Sequence, residues 1–62
     1  MKKKNIIKKL VQNGWWLLRQ GSRHEVWTNG DIQTAVPRHK EINEFTGGGI
    51  VKIAEQNPAR KK

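Results

Sequence analysis

Two side chains in this chain titrate near neutral pH without special tuning, His24 and His39. His24 follows a Gly21-Ser22 turn with Arg23 beside it, and His39 closes the segment Val36-Pro37-Arg38-His39. An imidazole next to guanidinium groups suits proton transfer at a phosphodiester. RNA carries its own nucleophile, the 2′-hydroxyl. It needs a base for that proton, an acid for the leaving oxygen and positive charge for the phosphorane. His24 is the candidate acid or base, and Arg23 and Arg38 are the candidates for holding phosphate. Such chemistry calls for no metal and no cofactor.

Other chemistries at the same residues find less support. Neither histidine has a second His, a Cys or a carboxylate at ligand spacing, and Glu25, adjoining His24, points to the opposite face of a strand. Ser22 as a nucleophile lacks a third residue to orient the histidine, so its expected role is to hold the turn by a side-chain to backbone hydrogen bond. For His24 the plain alternative is a strand residue with no chemistry. Trp27 argues for one face of that strand as core, with Arg23 and Glu25 at its ends. Val26 argues for the other, which places His24 at a strand edge. The reading adopted puts His24 at the rim, within reach of substrate.

The surroundings of these residues are strongly basic. The 62 residues carry 13 Lys and Arg against 5 Asp and Glu, a formal charge of +8 and a pI of about 10.5, so polyanions are the expected partners and nucleic acid the first of them. Lys8 and Lys9 on the first helix add affinity for nucleic acid without choosing a sequence. A chain of this size buries roughly 60% of the surface that its unfolded form exposes, which excludes a two-lobed enzyme with a deep cleft. The absence of cysteine rules out disulfides and thiolate metal sites and suits a reducing cytoplasm. Lys8 and Lys9 interrupt the apolar residues that follow Met1-Lys2-Lys3-Lys4, so neither a signal peptide nor a membrane span is predicted.

Positioning falls to a short series of elements. Asn5 is the expected cap of a first helix, in which Ile6, Ile7, Leu10 and Val11 form an apolar stripe, and Asn13-Gly14 ends it. Trp15 to Gln20 reads as a strand, Arg23 to Thr28 as a second, antiparallel to it, and Asp31 to Val36 as a third. Asn29-Gly30 predicts a two-residue hairpin turn, and Pro37 is expected to close the last strand. Trp15 and Trp16 point to opposite faces, and core is the expected place for at least two of the three tryptophans, while an exposed one could stack on bases. Residues 38–45 read as a loop anchored by Ile42 and Phe45. Thr46 is the expected cap of a second helix running to about Gln56, with Ile50, Val51, Ile53 and Ala54 as its buried stripe. Gly47-Gly48-Gly49 predicts a frayed or late start. Asn57-Pro58 stops it, giving one domain over residues 1–57 and a basic tail over 58–62 expected to be disordered. Two amphipathic helices covering one face of a three-stranded antiparallel sheet is the economical α+β solution.

Lys9-Leu10-Val11-Gln12-Asn13-Gly14-Trp15, then Gly21-Ser22-Arg23-His24, then Val36-Pro37-Arg38-His39, in that order and spacing, resembles the HicA toxins of bacterial type II toxin-antitoxin systems. The resemblance covers the chain to about residue 40 and the helix after Thr46 in outline. It implies an α-β-β-β-α fold similar to a double-stranded-RNA-binding domain. It also implies a ribosome-independent endoribonuclease that cleaves mRNA, and a HicB-type antitoxin as protein partner. The family's catalytic histidine follows the Gly-Ser turn, where many members carry two in succession; this chain has Arg23 in the first of those places and keeps His24. Arg38 and His39 match the family's Pro-Arg-His block, for which the resemblance implies RNA contact or structural support. Family members usually open the last helix with better helix formers than Gly47-Gly48-Gly49.

Overall fold

The computed structural model describes residues 1–59. The chain runs α1 (Lys3–Gln12), β1 (Trp16–Gln20), β2 (His24–Thr28), β3 (Gln33–Pro37) and α2 (Glu44–Gln56), and the strands form one antiparallel sheet in the order β1-β2-β3. Ile6 and Leu10 from α1, Ile50 and Ala54 from α2, Trp27 and Val36 from the sheet, and Trp15 and Ile42 from the connections make a single buried cluster. The expected α-β-β-β-α architecture is therefore the observed one. Trp15 and Trp27 belong to the core, while Trp16 is exposed.

Both helices begin earlier than local signals indicate. Residue 2, not Asn5, is the N-cap of α1, and it supplies no side-chain cap. Long-range backbone pairing takes over that task. The Lys3 amide donates to the Lys40 carbonyl at 2.9 Å, the Ile42 amide donates to the Met1 carbonyl at 2.8 Å, and Lys2 forms an antiparallel bridge with Glu41. An amide of the first turn, which has no partner within its own helix, is thus satisfied from outside. Gly14, at φ +83°, closes the far end as expected.

In α2 the cap is Asn43 rather than Thr46, and Asn43 Oδ1 accepts from the Thr46 amide at 2.7 Å. The helix starts at Glu44, whose charge favours the positive end of the helix dipole. The Gly47-Gly48-Gly49 triplet is therefore helical interior and not a frayed start. Gly47 is buried, and a Cβ built there would lie 2.6 Å from Met1 Sδ and 3.1 Å from Ile6 Cδ1. At this position glycine lets α2 approach α1. Phe45, expected as a core anchor, is 93% exposed, because an earlier helix start turns it outward; Ile53 is also exposed and Val51 half-buried.

The β2–β3 connection is a four-residue loop, since Thr28 pairs with Gln33. Only Gly30 in it has a positive φ, so the type I′ turn is not formed. The Asn29 side chain organises the loop instead. Its Oδ1 accepts from the amides of Asp31 at 2.8 Å and Ile32 at 2.9 Å, while its Nδ2 donates to the Asn57 carbonyl at 2.8 Å. β3 begins at Gln33 rather than Asp31 and ends on Pro37, which as the last residue of an edge strand is tolerated there. Ala59, expected in the disordered tail, donates its amide to the Asn13 carbonyl at 2.8 Å. The rest of that tail, residues 60–62, lies outside the described residues. Among the described residues no helix is long and apolar enough to cross a membrane.

Candidate nucleic-acid interface

The face of β2 that meets the helices is the one carrying Trp27. Its neighbour at i−2, Glu25, points the same way and is paired in register with the buried Val36. A carboxylate at the edge of a core requires partners. Lys3 Nζ donates to Glu25 Oε2 at 2.7 Å and Trp27 Nε1 to Oε1 at 3.1 Å. The Lys3 ammonium holds the Glu25 carboxyl below the usual carboxylate range; burial opposes this, and the Trp27 donor and the more distant Arg38 charge assist it. With Glu25 and Trp27 committed to the helix side, strand alternation turns His24 and Val26 to the open side. His24 is exposed, at the first residue of β2.

The turn before it is tight. Gln20 pairs with Glu25, and the Gly21 amide donates to the His24 carbonyl at 2.8 Å. A Cβ on Gly21 would stand 3.0 Å from that carbonyl oxygen, so the close approach suits glycine. The turn is held by backbone, not by Ser22 as expected: among the described residues the Ser22 hydroxyl makes no hydrogen bond, and it lines a pocket instead.

That pocket, about 580 Å³, is walled by Ser22, Arg23 and His24 from the β1–β2 turn and by Pro37, Arg38 and His39 from the end of β3. The β2–β3 register makes the juxtaposition, pairing His24 with Pro37, and the Arg38 amide then donates to the Arg23 carbonyl at 3.3 Å. Arg38 is steadied by Gln20, whose Oε1 accepts from Nη2 at 3.0 Å. Sequence inspection gave no sign of Gln20, which becomes visible as a partner only when β1 and β3 are seen to flank β2. Both histidines and two arginines thus share one exposed concavity, with no carboxylate among its walls.

Lys8 and Lys9, expected to contact RNA, are exposed on α1 but do not line this pocket, and Lys9 Nζ lies 3.7 Å from Glu55 Oε2 on α2. Among the described residues no three His, Cys, Asp or Glu side chains are grouped so as to hold a metal ion. The pocket is suited to an anion with a titratable group at its edge. In comparisons with known proteins, no family model, no curated protein and no solved structure matches this chain.

Proposed function

We propose that this chain is a small endoribonuclease, with His24 as general acid or base and Arg23, Arg38 and His39 binding the phosphate of the cleaved strand. The observation that carries the reading is the meeting of the Gly21-Ser22-Arg23-His24 and Val36-Pro37-Arg38-His39 segments around one exposed, carboxylate-free pocket. In the reaction the 2′-oxygen bonds to phosphorus and its proton passes to a base. The bond from phosphorus to the 5′-oxygen breaks, and that oxygen takes a proton from an acid. His24 serves one of these transfers, while the two guanidiniums offset the charge that develops on the phosphorane. The products are a 2′,3′-cyclic phosphate and a 5′-hydroxyl. The resemblance of the same two segments to HicA toxins supports mRNA as the substrate and a HicB-type antitoxin as the protein partner, within a type II toxin-antitoxin system.

The test is cleavage of a single-stranded RNA by purified protein with EDTA present. Wild type yields cyclic-phosphate ends, and a substrate carrying 2′-deoxyribose on the 5′ side of the cleaved bond stays intact. Loss of the acid or base costs about 10²–10⁴ in rate, so undiminished cleavage and growth arrest by His24→Ala would overturn the assignment.

A second reading is a non-catalytic RNA-binding module. The observation in its favour is that the pocket sets two arginines beside an exposed His24, an arrangement that suits phosphate binding without any proton transfer. Salt-sensitive RNA binding without cleavage products from wild type would select it.

A further inference from the structure

A second basic concavity adjoins the His24 pocket on the helix side. Its volume is about 790 Å³, and it is lined by Lys2, Lys3, Lys4, Arg38 and Lys40 together with Ile7 and Glu41. Arg38 belongs to both concavities. The cations are brought together by backbone geometry, because the residue 1–3 segment is zipped to the segment between β3 and α2 through the Lys2–Glu41 bridge and the Lys3 to Lys40 hydrogen bond.

Two of the charges in this cleft are already engaged. Lys3 is paired with Glu25 at 2.7 Å, and Glu41, the carboxylate in the lining, is paired with the Met1 amine at 3.1 Å. Among the described residues Lys2, Lys4, Arg38 and Lys40 have no carboxylate partner. Like charges held in proximity, with Glu41 and Glu25 already engaged by the Met1 amine and Lys3, form a site for a polyanion, and the apolar Ile7 among them suits a ribose or a base more than a free inorganic ion.

We propose that this cleft is a second subsite for the RNA strand, in which Lys2, Lys4 and Lys40 grip phosphates flanking the one held at His24. Arg38 stands at the junction of the two. The inference rests on the endoribonuclease reading for the position of the cleaved bond, but it needs only RNA binding to be observed. It assigns the lysines of the α1 N-terminus and of the β3–α2 connection a positioning role. Lys8 and Lys9, on the later turns of α1, have no part in it.

The experiment compares Lys4→Gln/Lys40→Gln with a control of equal charge change on exposed residues outside both concavities, Arg19→Gln/Lys52→Gln. Affinity for a fluorescent single-stranded RNA is measured against salt, and cleavage of the same RNA is measured as kcat and KM. Each phosphate contact on a single strand contributes a slope of about −0.7 in log K against log salt, or about fivefold in affinity at 0.1 M salt. The cleft variant is expected to bind about 25-fold more weakly, with a slope shallower by about 1.4, and to raise KM while leaving kcat in place. The control should show a much smaller change.

Equal loss in both variants would overturn the subsite, reducing it to general surface charge. If the cleft variant loses RNA affinity but wild type cleaves nothing, the subsite stands and the nuclease reading falls. If wild type cleaves RNA and the cleft variant binds and cleaves as the control does, the subsite falls and the nuclease reading stands. A short polyglutamate peptide is titrated in parallel. Selective loss of its binding, with RNA binding matched to the control, would make the occupant an acidic polypeptide and overturn the proposal.

Discussion

His24 lies directly across from Pro37 in the β2–β3 register, so the two segments that carry the histidines and arginines are neighbours in one ladder. The pocket is therefore fixed by strand pairing and not by packing of the His24 side chain, which is exposed. His24→Ala should leave thermal stability within about 0.5 kcal/mol of wild type, as exposed substitutions usually do. A melting curve taken beside the cleavage assay would check this, and a large fall in Tm would mean that the ring is structural.

Glu25 gives the fold a defined acid sensitivity. Its carboxyl is held below the ordinary range by Lys3, and a group depressed in this way contributes stability above its unfolded pKa that is lost as pH falls through the folded one. Urea midpoints should fall on the acid side of the carboxylate range, and Glu25→Gln should flatten that limb. At neutral pH the same substitution should cost about 1–2 kcal/mol, since it weakens a hydrogen-bonded ion pair whose side chains are 23% and 16% exposed. An unchanged pH profile in Glu25→Gln would show that the pair contributes nothing.

The Asn57 carbonyl receives both Trp15 Nε1, at 2.9 Å, and Asn29 Nδ2, at 2.8 Å. This contact ties the β2–β3 loop to the end of α2. Asn29→Ala removes that donor and also the acceptor serving the Asp31 and Ile32 amides, for an expected loss of about 2 kcal/mol or a Tm lower by roughly 8–16 °C. Asn29→Asp keeps the acceptor, loses the donor and should fall between. Calorimetry of the three proteins orders them.

The three glycines of α2 should respond differently to alanine. A Cβ meets nothing within 4 Å at Gly48 or Gly49, so Gly48→Ala and Gly49→Ala should each stabilise by up to about 1 kcal/mol. At Gly47 the added carbon meets Met1 and Ile6, so Gly47→Ala should gain less than either and Gly47→Val should destabilise. Chemical denaturation of the four variants tests the order, and an equal gain at all three alanine positions would contradict the close approach of α1 and α2.

The sequence by itself determined the element order, the core residues Ile6, Leu10, Ile42, Ile50 and Ala54, and the residues from which the pocket is built; which of Trp15 and Trp16 is core was decided by the fold. Hydrophobic periodicity and the glycine and proline breaks are local properties, and they survive in any arrangement of the elements. Tertiary structure decided what depends on distant partners. Lys3 finds its amide acceptor at Lys40, so α1 starts without a local cap; Asn43 caps α2, and the earlier start sends Phe45 outward. The face of β2 could not be read from alternation, because Val26 and Trp27 are both apolar and adjacent. Lys3 settles it by reaching Glu25, which makes a carboxylate tolerable beside Trp27. His24 is left on the open side of the sheet and, through its pairing with Pro37, beside Arg38 and His39.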